Sequence, residues 1–185
     1  MDQHDRTRYE WLALRCQAHA PGAFEDLIAV MERPLLYYAT SLTGSSDTAL
    51  DVLQDAWIRA FRTIRKLRDP GAIRPWLYSI VHGIAVDHVR KSVSREQAER
   101  EQYEAYDEHE EPTFAEADAQ SLHQALSEIS PSHREVLVLH FLEDLSLAEI
   151  AQVVGCPEGT VKSRIHHAKR EVKKILQRND YDKRK

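Results

Sequence analysis

The chain has 185 residues, of which 42% are hydrophobic and 30% charged, with a formal net charge of −5. That is enough apolar material for one domain or two small ones. No run approaches the roughly 18 apolar residues that a membrane span needs. The N-terminus "MDQHDRTRYEWLALRCQAHA" lacks the cationic start and apolar stretch of a secretory signal, so a cytoplasmic protein without direct membrane insertion is expected. Cys16 and Cys156 lie far apart with no CxxC partner, which leaves neither a disulfide framework nor a cysteine zinc site and points to reduced, buried thiols.

Six glycines, seven prolines and little β-branched alternation predict an all-α chain. Helices are expected over 8–19 and over 23–42, the second bent near Pro34, which has no N–H to donate. After "TGSSD" a third helix spans about 47–66, capped by Ser46 or Asp47. It turns Leu50, Leu53, Trp57, Ala60 and Ile64 inward and shows Asp51 and Asp55 early and Arg59, Arg62 and Arg65 late, the order the helix dipole favours. A fourth helix begins near Pro75 with Trp76, Leu77, Ile80 and Ile84 inward, and both tryptophans fall on these core stripes.

The mean charge hides a pattern along the chain. Residues 92–120 hold ten acids against two arginines, whereas 59–91 carry eight bases against two acids and 160–185 ten against three. The acidic block has few apolar anchors, so 92–115 is expected to be a flexible linker. Beyond it, Leu122, Leu126 and Ile129 mark a short helix, and Ser130-Pro131 opens another through Val136, Leu137, Leu139 and Phe141. In "SLAEIAQVVG", Ser146 and Glu149 form a capping box and Gly155 ends the helix. From Pro157 a last helix repeats Val161, Ile165, Ala168, Val172 and Ile175 on one face. The result is a helix-turn-helix, whose second helix enters a major groove. Its other positions, Glu158, Thr160, Lys162, Ser163, Arg164, His166 and His167, are types that contact phosphates and base edges.

The stretch "LSEISPSHREVLVLHFLEDLSLAEIAQVVGCPEGTVKSRIHHAKREVKKIL" (126–176) resembles region 4 of bacterial RNA polymerase sigma factors of the extracytoplasmic-function type. Residues 23–91, from "AFEDLIAVMERPLLYYATSLTG" to "WLYSIVHGIAVDHVRK", resemble region 2 of the same family. The resemblance implies two small helical domains, 1–91 and 116–178, on a flexible acidic linker over 92–115, with a basic tail at 179–185. It implies docking on core RNA polymerase through Asp51, Gln54 and Asp55. It also implies recognition of the minus-10 promoter element around Arg65, Lys66, Arg74, His82 and Arg90, with the loop 68–75 receiving an extruded base. The minus-35 element would be met as duplex by Glu158, Thr160, Lys162, Ser163, Arg164, His166 and His167, with His140 on a phosphate. The family commonly has Arg where this chain has His140 and His167, and Asn where Gly83 stands.

The resemblance further implies an anti-sigma factor as partner. The acidic linker has two readings, a solvated tether by its composition or, as the resemblance implies, a strand in polymerase's basic channel, and in the free protein its negative charge would screen the basic helix. No catalytic residue, cofactor or metal is expected: HExxH, a nucleophile elbow and a phosphate-binding glycine loop are all missing from the sequence. The competing reading is a helix-turn-helix regulator that binds an operator alone as a symmetric dimer.

Overall fold

The computed structural model describes residues 3–99 and 117–182, which form helices and turns with no strand among them. The N-terminal half comprises α1 (Gln3–Gln17), α2 (Ala23–Thr43), α3 (Ser46–Thr63) and α4 (Ile73–Glu99). Gly22 and Gly44, both left-handed at φ 72° and 70°, bracket α2, and the helix continues through Pro34. The cap of α3 is Ser45, one residue ahead of the expected Ser46 or Asp47; its hydroxyl accepts from the Thr48 N–H at 3.3 Å. Short 3-10 turns at Ile64–Lys66 and Pro70–Ala72 link α3 to α4.

The expected stripe of α3 is right at Leu53, Ala60 and Ile64 and wrong at Leu50, which is 53% exposed. Ala49, Val52 and Ala56 are buried instead, because helices pack closely where side chains are small and Leu50 lies about 100° around the axis from Ala49. Trp57 is half-buried, with the Phe24 ring edge-on at 5.8 Å. Helix α4 starts two residues before Pro75 and runs to Glu99, eight residues into the stretch expected to be linker. Residues 100–115 of that linker, residue 116 at the expected start of the C-terminal domain, and 183–185 of the basic tail lie outside the described residues. Cys16 is buried, donates to the Ala23 carbonyl at 3.2 Å, and its thiol is pushed up to about 11, chiefly by desolvation. Cys156 is only half-buried.

The C-terminal half comprises α5 (Ala117–Glu128), α6 (Pro131–Leu137), α7 (Leu147–Val154) and α8 (Glu158–Asp182). Ser130 caps α6 through the His133 N–H, with Pro131 in the first turn. The helix then widens into a π-turn, Val138–Leu142, closed by Glu143 N–H to the Val138 carbonyl at 3.1 Å. This turn buries Leu139 and leaves Phe141 and Leu142 each 51% exposed. Ser146 and Glu149 form both bonds of the capping box on α7, and Gly155 closes that helix at φ 65°. On α8, Val161, Ile165, Ala168 and Val172 are buried and Ile175 half-buried, as the repeat predicts.

In the N-terminal half, α2, α3 and α4 pack on one another and α1 lies across α2. In the C-terminal half, α8 packs on α5, α6 and α7. The halves touch where α4 meets α7 and α2 meets α6, and one buried apolar cluster runs through both.

The left-handed turn at Gly155 joins the two arms of the helix-turn-helix. A Cβ there would meet nothing within 4 Å, so Gly155→Ala carries a backbone cost alone, expected at about 1–2 kcal/mol. Urea denaturation should register that loss with little change in helix content.

Candidate nucleic-acid interface

The apolar stripe of α8 faces α5, α6 and α7, which turns its remaining positions outward. Glu158, Lys162, Ser163, His166 and His167 are exposed, and Thr160 and Arg164 half-buried. Ser163 donates to the Thr160 carbonyl at 2.9 Å. His133, at the start of α6, sits 2.9 Å from Glu171 and lies nearly parallel to the His167 ring at 6.4 Å. His140 is half-buried with Nδ1 3.1 Å from the Leu145 carbonyl. A carbonyl only accepts, so Nδ1 carries the hydrogen and Nε2 is the atom left for a partner. Cations and imidazoles predominate among these side chains.

The five cationic or imidazole candidates of the N-terminal half do not share one environment. Arg65 and Lys66 are exposed on the 3-10 turn after α3, which Gln17 ties to α1 by donating to the Ile64 and Leu67 carbonyls at 3.2 and 2.7 Å. Arg90 is exposed on α4, 3.9 Å from Asp87. Arg74 and His82 face the C-terminal half instead. Arg74, 9% exposed, donates to the Glu143 carbonyl at 2.7 Å and lies 3.6 Å from the Glu143 carboxylate and 5.2 Å from the Tyr9 ring centre. His82 is half-buried with Nδ1 2.7 Å from Glu135. At Gly83 an added Cβ would meet nothing within 4 Å, so packing does not require glycine there.

Asp51, Gln54 and Asp55 are exposed together on α3. Leu50, Ile58 and Phe61 are also exposed on this helix, at 53%, 44% and 58%. Helical spacing sets Leu50, Gln54 and Ile58 in one row beside the two acids.

The residues that the sequence reading missed are those joining the halves. Glu135 and Glu143 are buried, at 6% and 7% exposure. Glu135 accepts from the Tyr38 hydroxyl at 2.6 Å as well as meeting His82, and Glu143 accepts from the Tyr78 hydroxyl. Burial raises the Glu143 carboxyl above the usual range, against the opposing pull of Tyr78 and Arg74. Arg134 donates to Ser41 across the boundary at 3.1 Å and to Leu126 and Ser127 within its own half; burial lowers its guanidinium pKa. A carboxylate inside the apolar run "HREVLVLHFLED" was the available signal, since a charge among core residues demands a partner.

Comparison with known proteins places these two halves. Residues 13–95 match Sigma-70 region 2 and residues 119–172 match Sigma-70 region 4. RNA polymerase sigma-H factor of Pseudomonas aeruginosa is 32% identical, over 90% of this chain and 92% of its own. ECF RNA polymerase sigma factor SigL of Mycobacterium tuberculosis is 32% identical over 83% of this chain and 86% of its own. The chain belongs to the extracytoplasmic-function sigma factors of RNA polymerase. RNA polymerase sigma factor SigV of Bacillus subtilis is also similar, at 31% identity over 77% of this chain and 84% of its own.

Two solved structures share the fold at 23% identity. One is sigma factor RpoE in complex with the anti-sigma factor NepR from Bartonella quintana, with a TM-score of 0.73 over 84% of this chain and 98% of that one. The other is CnrH in complex with the cytosolic domain of CnrY, with a TM-score of 0.66 over 91% and 97%. Membership of this family makes the sigma factor a transcription initiation factor that directs promoter-specific initiation by core RNA polymerase. Among the described residues no helix is long and apolar enough to cross a membrane, and no cluster of three or more His, Cys, Asp or Glu could hold a metal ion.

The raised Glu143 carboxyl fixes the sign of a pH effect. A carboxyl whose folded pKa lies above its unfolded value contributes stability that is complete below the unfolded pKa and lost as pH rises through the folded one. The stability of the sigma factor minus that of Glu143→Gln should therefore rise as pH falls from 7 to 5 in paired urea titrations. A difference that falls with pH would mean that Tyr78 and Arg74 outweigh desolvation.

Proposed function

We propose that the sigma factor divides its work between its two halves: residues 1–91 dock polymerase and read the minus-10 element, and residues 116–178 read the minus-35 element. The observation that carries this reading is the outward face of α8, where Lys162, Ser163, His166 and His167 stand free of the core directly after a capped helix and a left-handed turn. A recognition helix needs its N-terminal side chains free to reach base edges while its other face is anchored. Lys162 and Arg164 supply phosphate or guanine contacts, Ser163 and Thr160 hydrogen bonds, and His140, when both ring nitrogens carry a proton, a phosphate donor through Nε2. Arg65, Lys66 and Arg90 offer the open cationic surface on the minus-10 side, joined by Arg74 and His82 once the halves part.

Asp51, Gln54 and Asp55 dock a basic surface of core polymerase, with Leu50 and Ile58 giving the apolar contact beside them. The factor acts in the cytoplasm, with an anti-sigma protein as antagonist; the two solved neighbours described above are complexes with another protein, one of them named an anti-sigma factor. Each half alone binds DNA weakly, and polymerase makes the pair strong by fixing their separation.

Genome-wide run-off transcription with purified core polymerase would define the promoter. On that promoter, Arg164→Ala should cost the holoenzyme about 1–3 kcal/mol with relaxed selectivity at one position, and Lys162→Ala should weaken all sequences alike and lower the salt slope by about 1. Asp51→Lys with Asp55→Lys should reduce capture of core polymerase with unchanged helix content. Operator binding by a polymerase-independent dimer would overturn the reading.

A further inference from the structure

Helix α1 runs alongside the stretch that joins α3 to α4 and packs on both of its 3-10 turns. Gln17 holds one end by donating to the Ile64 and Leu67 carbonyls. At the other end the Tyr9 ring centre lies 5.2 Å from the Arg74 guanidinium, and Arg6 stands 3.9 Å from the point that a Cβ on Gly71 would occupy. A cleft of about 760 Å³ opens there, lined from the N-terminal half by Arg6, Tyr9, Glu10, Gly71, Arg74 and Pro75 among others. We propose that α1 supplies a second wall to the minus-10 site, with Tyr9 as the stacking surface for one unpaired base and Arg6 as the donor to a phosphate beside it. This rests on the reading of loop 68–75 as the place that receives an extruded base.

A base that leaves its duplex has to recover stacking and hydrogen bonds from protein, and an aromatic ring beside cations supplies both kinds of contact to a single strand. The cleft falls within the roughly 300 to 1,000 Å³ of sites that enclose a small ligand. Tyr9 is half-buried against the apolar core, and the guanidinium over its ring holds it by cation–π attraction. Its plane is therefore set before a base arrives, which lowers the ordering cost of stacking. Gly71 leaves the floor bare: a Cβ there would stand 3.2 Å from the Asp69 carboxylate, which accepts from the Gly71 N–H at 2.9 Å and fixes the turn. Arg6 is exposed, where a phosphate can reach it. Glu10 repels a phosphate from the cleft itself and accepts from an exocyclic amine, which suits adenine or cytosine. All six residues lie on α1, the second 3-10 turn or the first turn of α4, so this wall belongs wholly to the N-terminal half.

The test uses holoenzyme, assembled from the full chain and core polymerase, on the promoter defined by run-off transcription with its minus-10 region held open by mismatches. Each base of the non-template strand there is replaced in turn by an abasic sugar. Tyr9→Leu keeps apolar bulk and removes the aromatic plane. It should weaken binding by at least about fivefold, the low end for one base on one ring. That loss should vanish at a single abasic position, since two changes that delete the same contact do not add, and the position should carry adenine or cytosine. Tyr9→Phe should retain the affinity that Tyr9→Leu loses. Arg6→Gln should lower the salt slope by about 0.7, the share of one phosphate on a single strand.

A Tyr9→Leu holoenzyme that binds like the wild type overturns the site. So does a loss of equal size on every abasic strand, the mark of a ring that only supports the fold. An unchanged salt slope removes Arg6 from the site, and sensitivity at a guanine or thymine removes Glu10. If Tyr9→Leu loses helix content, wild-type holoenzyme is photocrosslinked to strands carrying 5-iodocytosine at each position in turn; a crosslink at Tyr9 supports the site and its absence from every strand overturns it. The minus-10 assignment fails separately: it falls if no abasic substitution weakens the wild type. Positions that matter equally to wild type and Tyr9→Leu leave that assignment standing and remove only α1.

Discussion

A carboxylate taken out of water has to recover its hydrogen bonds from protein, and in this chain the recovery crosses from one half to the other. Glu135 and Glu143 are satisfied by Tyr38, His82, Tyr78 and Arg74, which lie 53 to 97 residues away in sequence. Apolar contact between α4 and α7 would tolerate sliding, whereas a buried acid opposite a phenol does not. The two tyrosine rings meet edge to face at 5.2 Å, and each hydroxyl donates to an acid of the C-terminal half. Burial raises both phenols above their ordinary pKa, so they stay protonated and keep donating throughout the physiological range.

That arrangement relates the charge pattern to the family's task. A sigma factor must hold cations ready for DNA while belonging to a chain of net charge −5. The cations of α8 stand on the outer side of a core made by α5, α6 and α7, while two of the N-terminal candidates are turned towards acids of the C-terminal half. The acidic side of α3, with Asp51 and Asp55, presents the opposite sign. Under the proposed assignment, surfaces of opposite sign on separate helices let one small protein face a polymerase and a duplex by different chemistry.

Much of the fold could be read from periodicity and caps. The stripe of α8, the capping box at Ser146 and Glu149, the Ser130-Pro131 start and the Gly155 stop are local devices, written in a few consecutive residues. What failed depended on distant packing. Leu50 fits a helical stripe by spacing, but tight contact between α2, α3 and α4 favours the alanines one position away. Helix α4 outruns its apolar stripe because propagation costs little once a helix is anchored, so an acidic composition could not mark its end. Of the site candidates, the outward placement of those on α3 and α8 could be read because exposed polar positions follow from the buried ones. The environment of Arg74 and His82 was not legible, since nothing near them in sequence announces Glu135 or Glu143.

The π-turn at Val138–Leu142 holds one more residue than an α-helical turn would. That surplus sets the azimuth of everything after it: Leu139 points inward, Phe141 outward, and Glu143 comes round beneath Tyr78. Removing a single residue there would rotate the following segment by about 100°, swinging the acid to a new bearing without altering its chemistry. Chain length at this one bend is thus under tighter geometric control than the identity of its exposed side chains.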